Sequence, residues 1–116
     1  MQEISTLIDA ARSVLGTFDL AVCVAGNVAA ALETEDGTIY TGICLDLACG
    51  VGFCAEHSAV AEMLKHRETA IRQIVAVGDT GIMPPCGRCR ELLMQVDRIW
   101  PSPWSPAFGT PVRSSE

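Results

Sequence analysis

The chain has 116 residues, which is enough for one domain with a single hydrophobic core and too few for two. Hydrophobic residues make up 49% of it and charged residues only 19%, so we expect another copy of the chain to cover part of its surface. A net charge of -6 would repel phosphate backbones, which argues against polymeric nucleic acid as a partner.

The N-terminal segment shows no targeting signal. Acidic residues lie near its start, and no basic stretch is followed by a long apolar run. No run of about 18 apolar residues predicts a membrane-spanning helix. We therefore expect a cytoplasmic protein, and in a reducing compartment its six cysteines are better explained as metal ligands, catalytic groups or small core residues than as disulfides.

The first predicted elements are a helix and a β-hairpin. Apolar residues recur at helical spacing over residues 3–15, and Gly16 follows as a stop signal. Residues 28–44 then alternate as two strands around a turn at residues 35–37.

A second helix, a central strand and a third helix follow. An apolar stripe predicts a helix over about 54–67, formed by Ala59, Val60, Met63 and Leu64. The sequence IVAVG at 74–78 is apolar on both faces, as in a strand covered on each side. The last helix is predicted after Pro84-Pro85. This order of elements predicts an α/β fold with a mixed sheet between helices.

The chain changes character after Asp97. Residues 98–116 hold four of the six prolines and both tryptophans, and they follow neither a helical nor a strand period. We therefore predict a domain over residues 1–97 and an irregular Pro-rich tail over 98–116.

Three cysteines are placed to share a metal ion. Cys86 and Cys89 form a Cys-x-x-Cys pair, which also occurs in redox sites and disulfide frameworks. Cys54 and Cys86 each lie at the start of a predicted helix, where N–H groups and the helix dipole favour a thiolate. Three thiolates suit tetrahedral Zn²⁺ and leave a fourth position for water, as in catalytic zinc sites.

Glu56 is the most informative residue of the second helix. It shares a helical face with Val60 and Met63, so its carboxylate is predicted to point into the protein beside the metal. Burial favours the neutral acid and Zn²⁺ favours the carboxylate, and either form suits proton transfer to and from an activated water. The alternative is an exposed first-turn glutamate that complements the helix dipole.

These residues resemble a known signature. Cys54-Ala55-Glu56, followed later by Pro85-Cys86-Gly87-Arg88-Cys89-Arg90, resembles the zinc-dependent cytidine deaminases in their three-cysteine form, which includes blasticidin S deaminase. The resemblance covers residues 5–97 and implies a three-layer α/β/α cytidine-deaminase-like fold, with helices on both faces of the sheet. It also implies a homo-oligomer, expected to be a tetramer.

The resemblance implies a role for each residue of the signature. Cys54, Cys86 and Cys89 would hold Zn²⁺, Glu56 would be the proton shuttle, and the Ala55 N–H would face the pyrimidine carbonyl. The implied reaction is metal-assisted hydrolysis of a free cytosine nucleoside to the uracil nucleoside and ammonia.

Two departures from the family bear on the substrate. The family has an Asn-Val-Glu run for the ribose where this chain has Cys44-Leu45-Asp46; Asp46 could act for the Glu, whereas Cys44 cannot replace an amide. Gly26 stands where the family carries an aromatic residue near the base. A cytosine nucleoside analogue such as blasticidin S is therefore an alternative substrate.

His57 allows an interpretation from another class. Cys54-x-x-His57 with Cys86-x-x-Cys89 also spells a closed Cys3His site, a structural zinc module without chemistry, although long amphipathic helices and an apolar strand argue against one. Otherwise His57 donates a hydrogen bond to a thiolate or faces solvent. The remaining cysteines are expected to be small buried residues: Cys23, Cys44 and Cys49.

Overall fold

The computed structural model describes residues 3–46, 52–79, 81–83, 92, 93, 95 and 96. The helices and strands assigned within them are α1 (Ile4–Ser13), β1 (Phe18–Asp19), β2 (Val24–Thr34), β3 (Ile39–Asp46), α2 (Ala55–Lys65), β4 (Ile71–Gly78) and β5 (Gly81–Met83). Residues 92, 93, 95 and 96 are also helical, within the segment where the third helix is predicted. No helix in the described ranges is long and apolar enough to cross a membrane.

Strand β2 is the centre of the sheet. It pairs antiparallel with β3 on one side and with β4 on the other, so β3 and β4 run in the same direction. The predicted hairpin is confirmed as β2 and β3, and the predicted strand at 74–78 is confirmed as part of β4. Strands β1 and β5 were not predicted, because two or three residues are too few to show an alternating pattern.

Alternation along β2 and β4 divides the core into two layers. The first layer lies between α1 and the sheet and is formed by these side chains: Leu7, Ala11, Ala29, Ala31, Val75 and Val77. The second layer lies between α2 and the sheet and includes these side chains: Ala30, Leu32, Ala55, Ala59, Val60, Met63, Ile74 and Ala76. Successive residues of a strand point to opposite faces, so the two helices lie on opposite faces of the sheet. The predicted α/β class with helices on both faces is confirmed.

Part of the predicted third helix packs beside α2. Leu93 is fully buried in the same apolar cluster as α2, and Leu92 and Val96 pack against that cluster. This segment therefore shares a face of the sheet with α2. The residues between β5 and Leu92, which include Cys86 and Cys89, lie outside the described ranges.

Two side chains are more exposed than predicted. Leu64 is 36% exposed, because it lies at the edge of the α2 stripe rather than over the sheet. Cys23 is only partly buried, because it lies in the bend that precedes β2 rather than within a strand. Cys44 is buried as predicted, and Cys49 lies outside the described residues.

Gly42 allows α2 to lie close against β3. A Cβ atom at this position would overlap the backbone nitrogen of Ala59 and would lie 2.6 Å from the Cβ of Ser58. Only a residue without a side chain fits such an approach between a helix and a strand. Gly42 therefore helps to set the position of the helix that begins at Cys54.

We expect Gly42→Ala to lower the free energy of unfolding by about 1–3 kcal/mol, because the added methyl group must push α2 away from the sheet. Thr41→Ala, on the opposite face of the same strand, is the matched control and should cost about 0.5 kcal/mol or less. Denaturant unfolding of both variants checks the difference, and equal stability of the two would show that the contact is easily relaxed.

The other end of α2 is held to β3 by Tyr40. Its hydroxyl donates a 2.7 Å hydrogen bond to Glu68, and its ring packs on His66 with 5.3 Å between centroids. The hydrogen bond to Glu68, followed by burial and the charge of that carboxylate, raises the pKa of Tyr40 to about 12. The phenol therefore stays protonated, and keeps donating, throughout the neutral pH range.

Candidate active site

Cys54 is the N-cap residue of α2. Its backbone is extended (φ -79°, ψ 158°), and its carbonyl oxygen accepts the first helical hydrogen bonds, from the N–H groups of His57 at 3.1 Å and Ser58 at 3.4 Å. Ala55 begins the helix and is fully buried, and its N–H lies at the helix end where backbone donors point outward. The thiol of Cys54 thus stands at the positive end of the helix dipole.

The carboxylate of Glu56 is turned into the protein. Glu56 is 5% exposed and lies on the same buried face as Val60 and Met63, as the helical spacing predicts. An exposed glutamate that only complements the helix dipole is therefore excluded. A buried ionisable group beside a cysteine at a helix end makes Glu56 a candidate for proton transfer.

A second buried carboxylate, Glu33, lies at the far end of β2. Glu33 is fully buried and accepts a 2.8 Å hydrogen bond from the side-chain amide of Gln73 on β4. Arg72 lies 4.0 Å from its other oxygen. Glu33 is thus part of a polar network within the sheet.

The end of β3 is tied to the start of α2. Leu45 and Phe53 exchange two backbone hydrogen bonds, of 2.9 and 3.0 Å, so the residue before Cys54 is paired with the strand. Gly52 makes this pairing possible, because a Cβ atom there would overlap the carbonyl of Leu45. The pairing places the end of β3, including buried Cys44 and exposed Asp46, beside the N-terminus of α2.

The structure therefore brings together most of the residues singled out in the sequence. Cys54, Ala55 and Glu56 lie at one end of the sheet with Cys44 and Asp46. Cys86 and Cys89 lie outside the described residues, and within the described ranges no three His, Cys, Asp or Glu side chains form a metal-binding group. The donor chemistry of Cys54 fits zinc, because cysteine sulfur is a common zinc ligand and this cysteine is a partly buried, free thiol at a helix N-terminus.

Sequence reasoning missed Asn27. The thiol of Cys44 donates a hydrogen bond to the Asn27 side-chain oxygen, with 2.6 Å between sulfur and oxygen. The signal was present in the sequence: Gly26-Asn27 interrupts an otherwise apolar strand, and a glycine within a strand often marks a bulge.

Gly26 has a structural reason to lack a side chain. Its φ is +91°, and a Cβ atom there would overlap the carbonyl of Gly16. The Phe18 ring occupies the neighbouring space, with its Cδ1 atom 3.5 Å from that Cβ position. An aromatic residue therefore lies beside position 26, although the chain carries none at that position.

A groove of about 480 Å³ runs along the outer side of α2. Its lining residues are Phe53, His57, Ser58, Ala61, Glu62 and Lys65. Phe53 and His57 bracket Cys54 in the sequence, but the groove lies on the side of the helix opposite to the buried face of Glu56. It is thus not the space into which the carboxylate points.

The fold is that of known bacterial enzymes. Cytidine deaminase from Mycobacterium leprae matches with a TM-score of 0.72 and 25% identity, covering 85% of this chain and 84% of that one. The enzyme from Mycobacterium tuberculosis also gives 0.72, at 24% identity, with 85% and 81% covered. Cytidine deaminase from Burkholderia pseudomallei gives 0.70 at 27% identity, with 84% and 80% covered.

Sequence comparison leads to the same group. A curated cytidine deaminase from Sporosarcina psychrophila is 36% identical over 70 residues, which are 59% of this chain and 52% of the relative. The match thus spans about half the length of that relative. No protein-family model matches the chain. Together with the fold, these matches support a place for the chain in the cytidine deaminase family.

Proposed function

We propose that the protein is a zinc-dependent hydrolase that converts a free cytosine nucleoside, such as cytidine or deoxycytidine, to its uracil counterpart and ammonia. The observation that carries this proposal is the cysteine at the N-cap of α2 with a buried carboxylate two residues later. The named relative and the structural matches support the same reaction.

The zinc ligands in this proposal are Cys54, Cys86 and Cys89. The position of Cys54 at a helix N-terminus supports its part in the set. Bound zinc would supply Lewis-acid chemistry that activates water for attack on the pyrimidine ring. Three protein ligands would leave a coordination position for that water.

Glu56 is proposed to move the protons of the reaction. It takes a proton from the attacking water, delivers it to ring nitrogen N3, and then carries a proton to the departing amine. A bond forms between C4 and the water oxygen, the bond between C4 and the exocyclic nitrogen breaks, and ammonia leaves. Burial keeps bulk water from competing for the carboxylate, which supports this role.

The remaining contacts are assigned to substrate binding. The N–H of Ala55 would donate to the pyrimidine carbonyl, and the end of β3, with Cys44 and Asp46, would lie near the sugar. Since Cys44 carries no amide, an analogue such as blasticidin S is the alternative substrate.

We further propose that the chain acts as a homo-oligomer, a tetramer, in the cytoplasm, without polymeric nucleic acid or membrane partners. Exposed apolar side chains at the edge of the sheet support self-association: Phe18, Leu20 and Val22, of which Val22 is 81% exposed. Light scattering at micromolar concentration would contradict this proposal if it found only monomers.

The test of the proposed function is an ammonia-release screen on purified protein of known metal content. We expect about one zinc per chain and release of ammonia from a cytosine nucleoside or an analogue, with matching loss of the cytosine absorbance. Cytidine, deoxycytidine and blasticidin S should be compared side by side. Metal-free protein after mild purification, or zinc-loaded protein inactive on every cytosine compound, would overturn the proposal.

A further inference from the structure

Strand β2 carries an irregularity opposite Cys44. In the ladder between β2 and β3, Ala25 is paired with Leu45 and Ala29 with Ile43. Three residues of β2, 26–28, are therefore opposite a single residue of β3. Extra residues in one strand form a bulge, which turns side chains away from their regular direction and is frequent beside active sites.

The bulge turns Asn27 toward the α2 face of the sheet. In the regular part of β2, the odd-numbered residues Ala29 and Ala31 pack against α1 on the other face. Asn27 is also odd-numbered, yet its side-chain oxygen accepts a hydrogen bond from Cys44, which belongs to the apolar cluster under α2. A regular strand would have placed this amide against α1.

The amide therefore lies near the start of α2. Cys44 shares its cluster with Ala55, the first residue of the helix. The residue after Cys44 is tied by two backbone hydrogen bonds to Phe53, next to Cys54. Asn27 thus reaches the end of the sheet where Cys54 and Glu56 lie.

Stability alone gives little reason for this arrangement. A thiol is a weak donor, so the hydrogen bond from Cys44 contributes little, while a polar residue and a bulge both weaken an otherwise apolar strand. The bond does orient the amide. The Asn27 side-chain oxygen accepts the hydrogen bond from Cys44, which leaves the two N–H donors of the amide nitrogen for another partner. Asp46, two residues beyond Cys44 and exposed, adds a carboxylate acceptor on the same face of β3.

We propose that Asn27 is a specificity-determining residue that donates a hydrogen bond to a hydroxyl group on the sugar of the nucleoside, with Cys44 holding the amide in position. This inference rests on the proposed deaminase function. Hydroxyl groups both donate and accept, so a neighbouring amide N–H and carboxylate are complementary to them. The substrate class is therefore a cytosine nucleoside whose sugar keeps its hydroxyls.

The test compares cytidine with 2′,3′-dideoxycytidine, which lacks two of those hydroxyls. In Asn27→Ala we expect kcat/KM for cytidine to fall about 10- to 100-fold, mainly through KM, because a hydroxyl loses its partner in the site. The kcat/KM for 2′,3′-dideoxycytidine should change by less than about threefold, because this compound lacks the hydroxyls that Asn27 is proposed to bind. Cys44→Ala should show the same preference change, to a smaller degree.

Thr41→Ala, on the opposite face of β3, is the control and should leave both substrates unaffected. Thermal unfolding verifies that each variant is folded, and Asn27→Ser, whose shorter side chain cannot span the same distance, replaces Asn27→Ala should the latter not fold. Calorimetric binding of uridine and 2′,3′-dideoxyuridine to the same variants gives a readout that does not depend on turnover.

An equal loss for both nucleosides in both assays, or no loss at all, would overturn the role of Asn27 while leaving the deaminase proposal intact. Failure of the zinc-loaded wild type to deaminate any cytosine nucleoside would instead count against the deaminase proposal. In that event the binding comparison still decides whether Asn27 recognises the sugar hydroxyls.

Discussion

Glu56→Gln is expected to leave a folded protein with its zinc content unchanged and to lower kcat by roughly 10² to 10⁴, the usual contribution of general acid–base transfer. Glutamine has nearly the same shape, so the buried face that it shares with Val60 and Met63 stays filled. It cannot accept and release a proton as the carboxylate does. Steady-state kinetics, with metal analysis of the same sample, measures the effect.

Glu62→Gln is the matched control, because it makes the same change on the same helix at an exposed position. The side chain of Glu62 is 43% exposed and lies 3.3 Å from Lys65, a surface ion pair that contributes little. We expect wild-type activity from this variant. Wild-type activity from Glu56→Gln on an identified substrate would exclude Glu56 as the proton shuttle.

Cys54→Ala should weaken zinc binding by more than about 100-fold. Loss of a residue that only hydrogen-bonds to a metal ligand costs up to about 100-fold in affinity, so loss of a ligand itself should cost more. His57→Ala should keep its zinc, because in the proposed site histidine is not a ligand. Cys23→Ala removes a partly buried thiol away from the helix end and is the control for cysteine loss in general. Competition with a chromogenic chelator reports the affinity of each variant.

His57→Ala and Glu56→Gln together distinguish the proposed enzyme from a structural Cys3His module. In such a module His57 would be the fourth ligand, so His57→Ala would release zinc and destabilise the fold, whereas Glu56→Gln would have no effect. That combination of results would replace the deaminase proposal by the structural one. Retention of zinc in Cys54→Ala would remove the basis of both.

The layout of the fold could largely be predicted from periodicity. The α1 stripe, the hairpin around residues 35–37 and the doubly apolar strand at 74–78 each produce a repeat that reflects how the side chains are buried. The burial of Glu56 followed from the same reasoning, because three residues at helical spacing share a face. Strands β1 and β5 are too short to show any repeat, and the position of Leu64 at the edge of its stripe depends on the angle at which α2 crosses the sheet.

The sequence by itself determined the chemical groups of this protein and their order: a cysteine and a glutamate at a helix start, a later cysteine pair, and apolar strands between helices. These features are local, since capping, helical spacing and strand alternation depend on nearby residues. Only the tertiary structure decided that Asn27 faces Cys44, that Gly42 lets α2 approach, and that Phe18 lies beside Gly26. Each of these depends on the register or close approach of segments distant in the chain, and a bulge in β2 changes which face a side chain occupies without changing the composition of the strand.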